Sequence, residues 1–586
     1  MRVKKSISKN GSVSYSVIKD VRVDGRRTTK IVERLGNAQQ IKTKFPNMDP
    51  EDYAKKRAKE LTDQEKQGKV TITSKYNKEQ IIQAGHQPLK EIGPLFIEQI
   101  INELKFDSLC KKIQKQHKFQ YSLSDILTML ISTRVLFPKS KIASFQQAHK
   151  FINKPEYKAN DVYRSLDMLA KHSDEIQQEV YKNSKDIVDR NTKILYYDCT
   201  NFFFEIEDPE DKKQYGKSKE NRPNPIVQMG LFMDGSGMPL AFSTFSGNKN
   251  EQPTLKPLEK QLIKDFELSK FVVCTDAGLS SRENRRFNDF GDRAYITTQS
   301  IKKLKKDLKE WSLASDGWRI SQSSAPINLD EIDLSKYKDK IFYKEKWIVN
   351  EASSAERKNG YGPLEEKLIV SFSPKYQAYQ AEIREKQIQR AIKAVDSSDR
   401  LKRKSPNDPL RFVKSISTTE NGEIAGKTHY SIDEKVINQE AQYDGFYTVC
   451  TNLDSTPEEV VEINKRRWQI EESFRIMKSE FKSRPVYLRD EDRIDAHFLT
   501  CFLALLCFRV LEKKLDEKYT CGEIISTLRN MKWLELKGEG HVPAYERTDL
   551  TDKLHDIAGL RTDYELIDRR AQKNILKIVK KGYSTQ

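Results

Sequence analysis

The spacing of hydrophobic and polar positions changes several times along the chain, and each change predicts a different kind of structure. Residues 1–45 alternate: Ser12–Ile18 and Val21–Val23 face Thr28–Leu35 across a turn at Asp24-Gly25, a small basic β element carrying Arg22, Arg26, Arg27 and Lys30. Residues 46–190 take up the helical period. Asp52–Lys66 is polar, while Leu95–Cys110, Ser124–Leu136 and Val162–Leu169 carry apolar stripes. This mainly helical region is the expected DNA-binding part, although no single recognition helix stands out.

Residues 191–300 turn to strands. Lys193–Asp198, Ile226–Met233 and Pro239–Phe245 form a meander, with a hairpin turn at Asp234–Gly237. A helix over Thr254–Phe266, a strand Lys270–Asp276, a helix Ser281–Phe290 and a strand Arg293–Thr298 follow, a mixed α/β order. Two of these strands, Lys193–Asp198 and Lys270–Asp276, end in an aspartate, which predicts both carboxylates at one edge of a sheet. Residues 301–440 break the pattern with strands at Ile341–Val349, Lys367–Phe372 and Thr428–Ile432 and a charged helix at Tyr376–Val395. They read as a separate, mostly β insertion, punctuated by basic clusters at Lys302–Lys306 and Arg400–Lys404. Over 441–515, Asp444–Asn452 returns the chain to the α/β core as a strand, and residues 516–586 form a basic C-terminal region suited to oligomerisation.

The stretch Arg466–Lys478 carries the chemistry. At about 100° per residue, Arg467, Glu471 and Lys478 fall within roughly 40° of one another, and Ile470, Phe474 and Met477 form an adjacent apolar stripe. One face anchors the helix and the next presents a carboxylate between two long cations. Alone, that is an ordinary salt-bridged surface helix. With Asp198 and Asp276 it becomes a third carboxylate on one α/β unit. An all-oxygen set without a partner His or Cys suits Mg²⁺ or Mn²⁺. Two such ions about 4 Å apart support in-line phosphoryl transfer.

Charge points the same way. Lys+Arg of 104 against Asp+Glu of 86 gives +18 and a pI near 9.2, an excess that suits a polyanion. At 586 residues the chain is too long for one core. A mean hydropathy of −0.74 fits a soluble protein. No signal peptide is expected, because polar residues follow the basic start. The apolar run Phe498–Phe508 is too short to span a bilayer and predicts a buried helix, so no membrane partner is expected. The seven cysteines show no metal-binding spacing and read as reduced, buried thiols.

Asp198 in Tyr-Tyr-Asp-Cys-Thr-Asn, Asp276 in Cys-Thr-Asp-Ala-Gly and the Arg467-x3-Glu471-x6-Lys478 run together resemble the DDE transposases of bacterial insertion sequences. The closest branch carries a Y-x2-R-x3-E-x6-K signature and a β insertion between its second Asp and its Glu. The resemblance extends over most of the chain; its one departure is Asn464, which stands where the signature has tyrosine. It implies an RNase H-like core in which Asp198, Asp276 and Glu471 hold two Mg²⁺ (or Mn²⁺), nicking at transposon ends and strand transfer into target DNA. It also implies that Arg467, Lys478 and Arg475, with the Asn464 position, contact DNA at the terminal inverted repeats. The active complex is expected to be a homodimer, working in the cytoplasm on the bacterial nucleoid. Some relatives flip a base onto an insertion-domain aromatic; the turn Ser315-Asp-Gly makes Trp318 the candidate. A metal-dependent nuclease on the same fold and an inactive DNA-binding derivative are the alternative readings.

Overall fold

The computed structural model describes all residues except 9, 24, 25, 67, 69–71, 73–76, 322, 324, 398–400, 404, 406, 419–423 and 583–586. The expected Asp24-Gly25 turn and the ends of the Arg400–Lys404 cluster therefore lie outside the described residues. The chain divides into two compact units, Met1–His86 with Leu536–Gly540, and Gln87–Glu535 with His541–Gln586.

In the first unit, β1 (Arg2–Ile7), β2 (Val13–Val23) and β3 (Arg26–Asn37) form an antiparallel sheet in that order. The alternation of β2 puts Tyr15 and Val17 on one face, where Ile41, Ala54, Ala58 and Leu61 of two helices cover them. The strand β1 was not apparent in the sequence, because it pairs along a largely solvated surface with no apolar alternation to mark it.

The second unit is built on one sheet. After a short β4 (Leu89–Glu91), the chain lays down β5 (Ile194–Phe203), β6 (Ile226–Asp234), β7 (Pro239–Ser246), β8 (Val272–Thr275) and β9 (Ala294–Thr298). It continues through β10 (Arg319–Ile320), β11 (Phe342–Asn350), β12 (Leu364–Phe372), the hairpin β13 (Val413–Thr418) and β14 (Ile424–Ile432), and β15 (Phe446–Thr451). The nine-stranded order is β10-β11-β12-β15-β9-β8-β5-β6-β7. Within it β5, β8 and β9 run parallel, and their neighbours on both sides pair antiparallel. The last strands, β16 (Lys532–Leu536) and β17 (Gly540–Pro543), make a small sheet with β4.

This topology corrects the expectation of a separate β insertion. Strands β10–β12 pair onward from β15 and extend the core sheet; of the expected insertion strands only β14 stands apart, in the β13–β14 hairpin. Hydrogen-bonding partners across a sheet leave no trace in the spacing of residues along one strand, so the continuity was invisible in sequence.

The expected boundaries at 190/191 and 515/516 likewise mark changes of element type and not separate bodies. The helix Glu491–Lys514 is apolar all round and is sheathed by helices Pro94–Glu103, Leu123–Leu136 and Ala159–Lys171 on one side and β7 on the other. One apolar cluster runs from Ile92 to Val180, through the sheet, to Val579. That helix is the one described helix long and apolar enough to cross a membrane, and 89% of its apolar window is buried inside the fold. The predicted helix Leu95–Cys110 is two helices, broken at Lys105, which adopts a left-handed conformation.

Candidate functional site

The strand β5 does not end at Asp198, as expected, but runs five residues further to Phe203. Its alternation gives the two faces different tasks. Tyr197 and Cys199 turn to one face, where both reach the hydroxyl of Thr254. Tyr196, Asp198 and Phe202 turn to the other. There the Tyr196 hydroxyl donates to the Ile463 carbonyl at 2.9 Å, and Phe202 packs on Phe498 at 4.8 Å. Asp198 thus faces the layer that contains the helix Trp468–Ser479.

Parallel pairing matches Ile194 with Val272 and Tyr196 with Cys274. Carried two residues further, that register brings Asp198 level with Asp276, on strands spaced about 4.8 Å apart, and Asp276 is near enough to act on the Asp198 carboxyl. Asp276 is the first residue beyond β8. Its carboxylate accepts the Leu279 amide at 3.0 Å, and its carbonyl accepts the Thr297 hydroxyl. Gly278 explains the glycine of the Asp-Ala-Gly run: a Cβ there would stand 3.3 Å from both Asp276 carboxylate oxygens.

Arg467 lies between the sheet and Glu471. Its guanidinium pairs with Glu471 at 3.0 Å, the i,i+4 pair expected from the sequence, and both Glu471 and Asp198 raise its pKa against the cost of burial. Glu471 itself keeps 57% of its side chain exposed, open to a ligand. Lys478, in the last turn of the helix, lies over the Phe202 ring at 5.5 Å. Burial and the nearby Lys219 push its pKa down to about 8, while Asp198 opposes the shift. Arg475 is exposed and paired with Glu472 at 3.4 Å.

Asp198 is itself held off balance. Burial raises its carboxyl to about 6, opposed mainly by the Lys219 ammonium, and neighbouring Asp276 adds to the rise. A buried carboxylate with a second level beside it is poorly stabilised as an anion, and a hard divalent cation relieves that. The donor set fits such an ion: Cys199 points to the opposite face and Cys274 donates to Asn464, leaving oxygen ligands. Protons and cation compete, so lowering pH through 6 should weaken Mn²⁺ binding by about tenfold per unit below it. Calorimetric titration with Mn²⁺ at pH 5, 6 and 7.5 checks this; a pH-independent affinity would place the ion elsewhere.

Two expected residues do not belong to this surface. Asn464 is 4% exposed and takes the Cys274 thiol at 3.4 Å while donating to the Tyr447 hydroxyl at 2.8 Å. It ties two strands to the helix Pro457–Lys465 and is not placed to touch a phosphate. Asn464→Tyr should therefore overfill the core and cost about 1–3 kcal/mol, seen as a lower unfolding midpoint, and should not tighten DNA binding. Trp318 is fully buried: Gly317 does make the turn, with φ +76°, but it sends the ring inward. Other residues were missed. Lys219, Glu220 and Glu251 come from irregular loops, and Tyr447 from β15; only their charge or aromatic type marked them. Lys219 pairs with Glu251 at 3.3 Å and reaches Asp198 at 4.0 Å.

A second cluster, Asp552, His555 and Asp563, brings ligand atoms within 4.8 Å of one another. Arg547 and Arg561 already pair with its carboxylates, which makes it an ion network tying the helix Asp549–Ala558 to the segments that flank it.

A mixed sheet carrying level aspartates, with a glutamate and cations on a facing helix, defines a carboxylate-centred site suited to chemistry on a polyanion. The chain belongs to the transposase DDE family: the family model described as "Transposase DDE domain" matches residues 201–507, more than half of the chain. No curated protein matches it. Among solved structures it is similar to a piggyBac transposase synaptic complex with hairpin DNA, at 10% identity over 83% of this chain and 85% of that one, with a TM-score of 0.31. It is also similar to a Mos1 transposase paired-end complex with left transposon end, at 13% identity over 43% and 68%, with a TM-score of 0.13.

Proposed function

We propose that this DNA transposase cuts and joins DNA at a site made by Asp198, Asp276 and Glu471 on an RNase H-like core. The strand order supports the core: an antiparallel meander β5-β6-β7 followed by β8 and β9, both parallel to β5, on the other side. The observation that carries the site is the level placement of Asp198 and Asp276 opposite a helix whose Arg467 holds Glu471.

The three carboxylates would hold two Mg²⁺ or Mn²⁺ ions. When bound, such ions activate a water or 3′-hydroxyl and stabilise the leaving oxygen. The protein's own part is positional. Asp276 is fixed by the Leu279 amide and the tight approach of Gly278, and Asp198 by the Cys199 amide at 2.7 Å. Arg467 steadies Glu471 and offers its guanidinium to the scissile phosphate, with Lys478 beside it and Arg475 on the exposed flank. The substrates are duplex DNA at the terminal inverted repeats and then target DNA, engaged by a homodimer inside the cell.

The test is incubation of the purified chain and Mg²⁺ with duplexes carrying the repeats that flank its gene. Nicks at the repeat ends followed by joined products are expected. Nicks without joining would favour a nuclease, and neither product would favour a DNA-binding derivative.

A further inference from the structure

Beyond the carboxylates, at the far end of β5 around Phe202 and Phe203, a second arrangement has one acid among several bases. The loop between β5 and β6 places the Glu220 carboxylate against Arg484 and within 3.6 Å of Lys478; its other oxygen stands 3.8 Å from Arg222. Two of these bases are held by an aromatic ring. The Arg222 guanidinium lies 4.2 Å from the centre of the Phe203 ring and that of Arg484 lies 6.0 Å from it. Lys478 in turn lies over Phe202. Lys478 and Arg484 thus come from the core helix and the segment after it, while Arg222, half exposed, comes from the same loop as the single carboxylate they surround. Lys219, next to Glu220, is engaged elsewhere, with Asp198 and Glu251.

A carboxylate and a phosphodiester present the same chemistry to such cations: one negative charge shared by two oxygens that accept from guanidinium and ammonium donors. We propose that Lys478, Arg484 and Arg222 form a seat for one DNA backbone phosphate, and that Glu220 occupies it as an internal stand-in until DNA displaces it. Glu220 then keeps three like charges together in the free protein and lowers affinity for DNA that does not seat well. The proposal rests on the transposase reading, but it concerns backbone binding and not cutting.

The test uses the full chain with Glu220→Gln and a labelled 30-base-pair duplex of arbitrary sequence in EDTA, followed by fluorescence anisotropy from 50 to 300 mM KCl. Removing the competing charge should tighten binding about tenfold at 100 mM and steepen the salt slope by about one unit. Adding Lys478→Ala and Arg484→Ala to the same chain should abolish the gain. Affinity that is unchanged or weaker in a normally melting Glu220→Gln protein overturns the proposal. If that variant does not fold, Glu220→Asp, which withdraws the charge by one methylene, should still bind two- to threefold tighter; no gain overturns it equally. Repeating the comparison in an Asp198→Asn background separates the two readings. A gain that persists while the parent chain never cuts DNA removes the catalytic reading alone, and cutting without a gain removes only the phosphate seat.

Discussion

Asp198→Asn should lower strand cleavage by about a thousandfold, some 4 kcal/mol of barrier, while leaving duplex affinity within a factor of two or three. Asp276→Asn and Glu471→Gln should act alike, because in the proposed site each would remove a charge that holds metal and none would remove a phosphate contact. The stability readout makes the Asp198 result diagnostic. Burial raises this carboxyl to about 6, above its ordinary value, so its ionised form works against the fold from pH 4 upward, and that penalty is relieved as pH falls. An uncharged isostere should therefore melt at or above the parent at pH 7.5 without metal, and should lose the stabilisation that Mn²⁺ gives the parent. Near-normal cleavage by any of the three variants would remove that residue from the site. A sharply lowered melting point for Asp198→Asn would instead make the residue structural.

The second large effect concerns Trp318, which sequence context had put forward as a surface for a flipped base. The ring belongs to a buried cluster with Ile301, Phe342, Leu368, Val370, Phe372 and Cys450 and lies against Phe372 and Phe446; its indole N–H donates to the Ala314 carbonyl at 2.9 Å, and the Lys344 ammonium caps it at 4.7 Å. Trp318→Ala should cost about 3–5 kcal/mol of local stability. In a chain of several cooperative parts this need not appear as one shifted transition. Hydrogen exchange is the better measure, with protection falling in β10–β12 and little changed in β5–β7. Unchanged protection, together with slower second-strand products on a denaturing gel, would return the ring to DNA. An aromatic ring that does face solvent is Trp468, on the helix that carries Glu471, 56% exposed.

How far the sequence reached can be judged from these residues. Local periodicity was enough to place most elements: the meander β5–β7 (β5 running on past its expected end), the helix Pro374–Ser397, β15 and the buried helix Glu491–Lys514 fall where alternation or a continuous apolar run put them. It was enough, too, for the Arg467–Glu471 pair, since residues four apart on a helix are neighbours whatever surrounds them. The family could be read as well, because its motifs are short and contiguous.

What sequence could not supply was everything decided by chain segments far apart in number. Asp198 lies mid-strand because β5 continues to pair with β6 through Phe203, and it is level with Asp276 through the register with β8. Asn464 is a core residue because β8 and β15 converge on it; Trp318 is buried because β11, β12 and β15 close over a turn that was correctly foreseen. Lys219 and Glu220 sit in a loop with no period at all, and only the fold brings them to Asp198, Lys478 and Arg484. Periodicity reports which face of an element is apolar. Which face meets which, and at what register, is set by hydrogen bonding and packing between distant segments, and only the tertiary structure contains that.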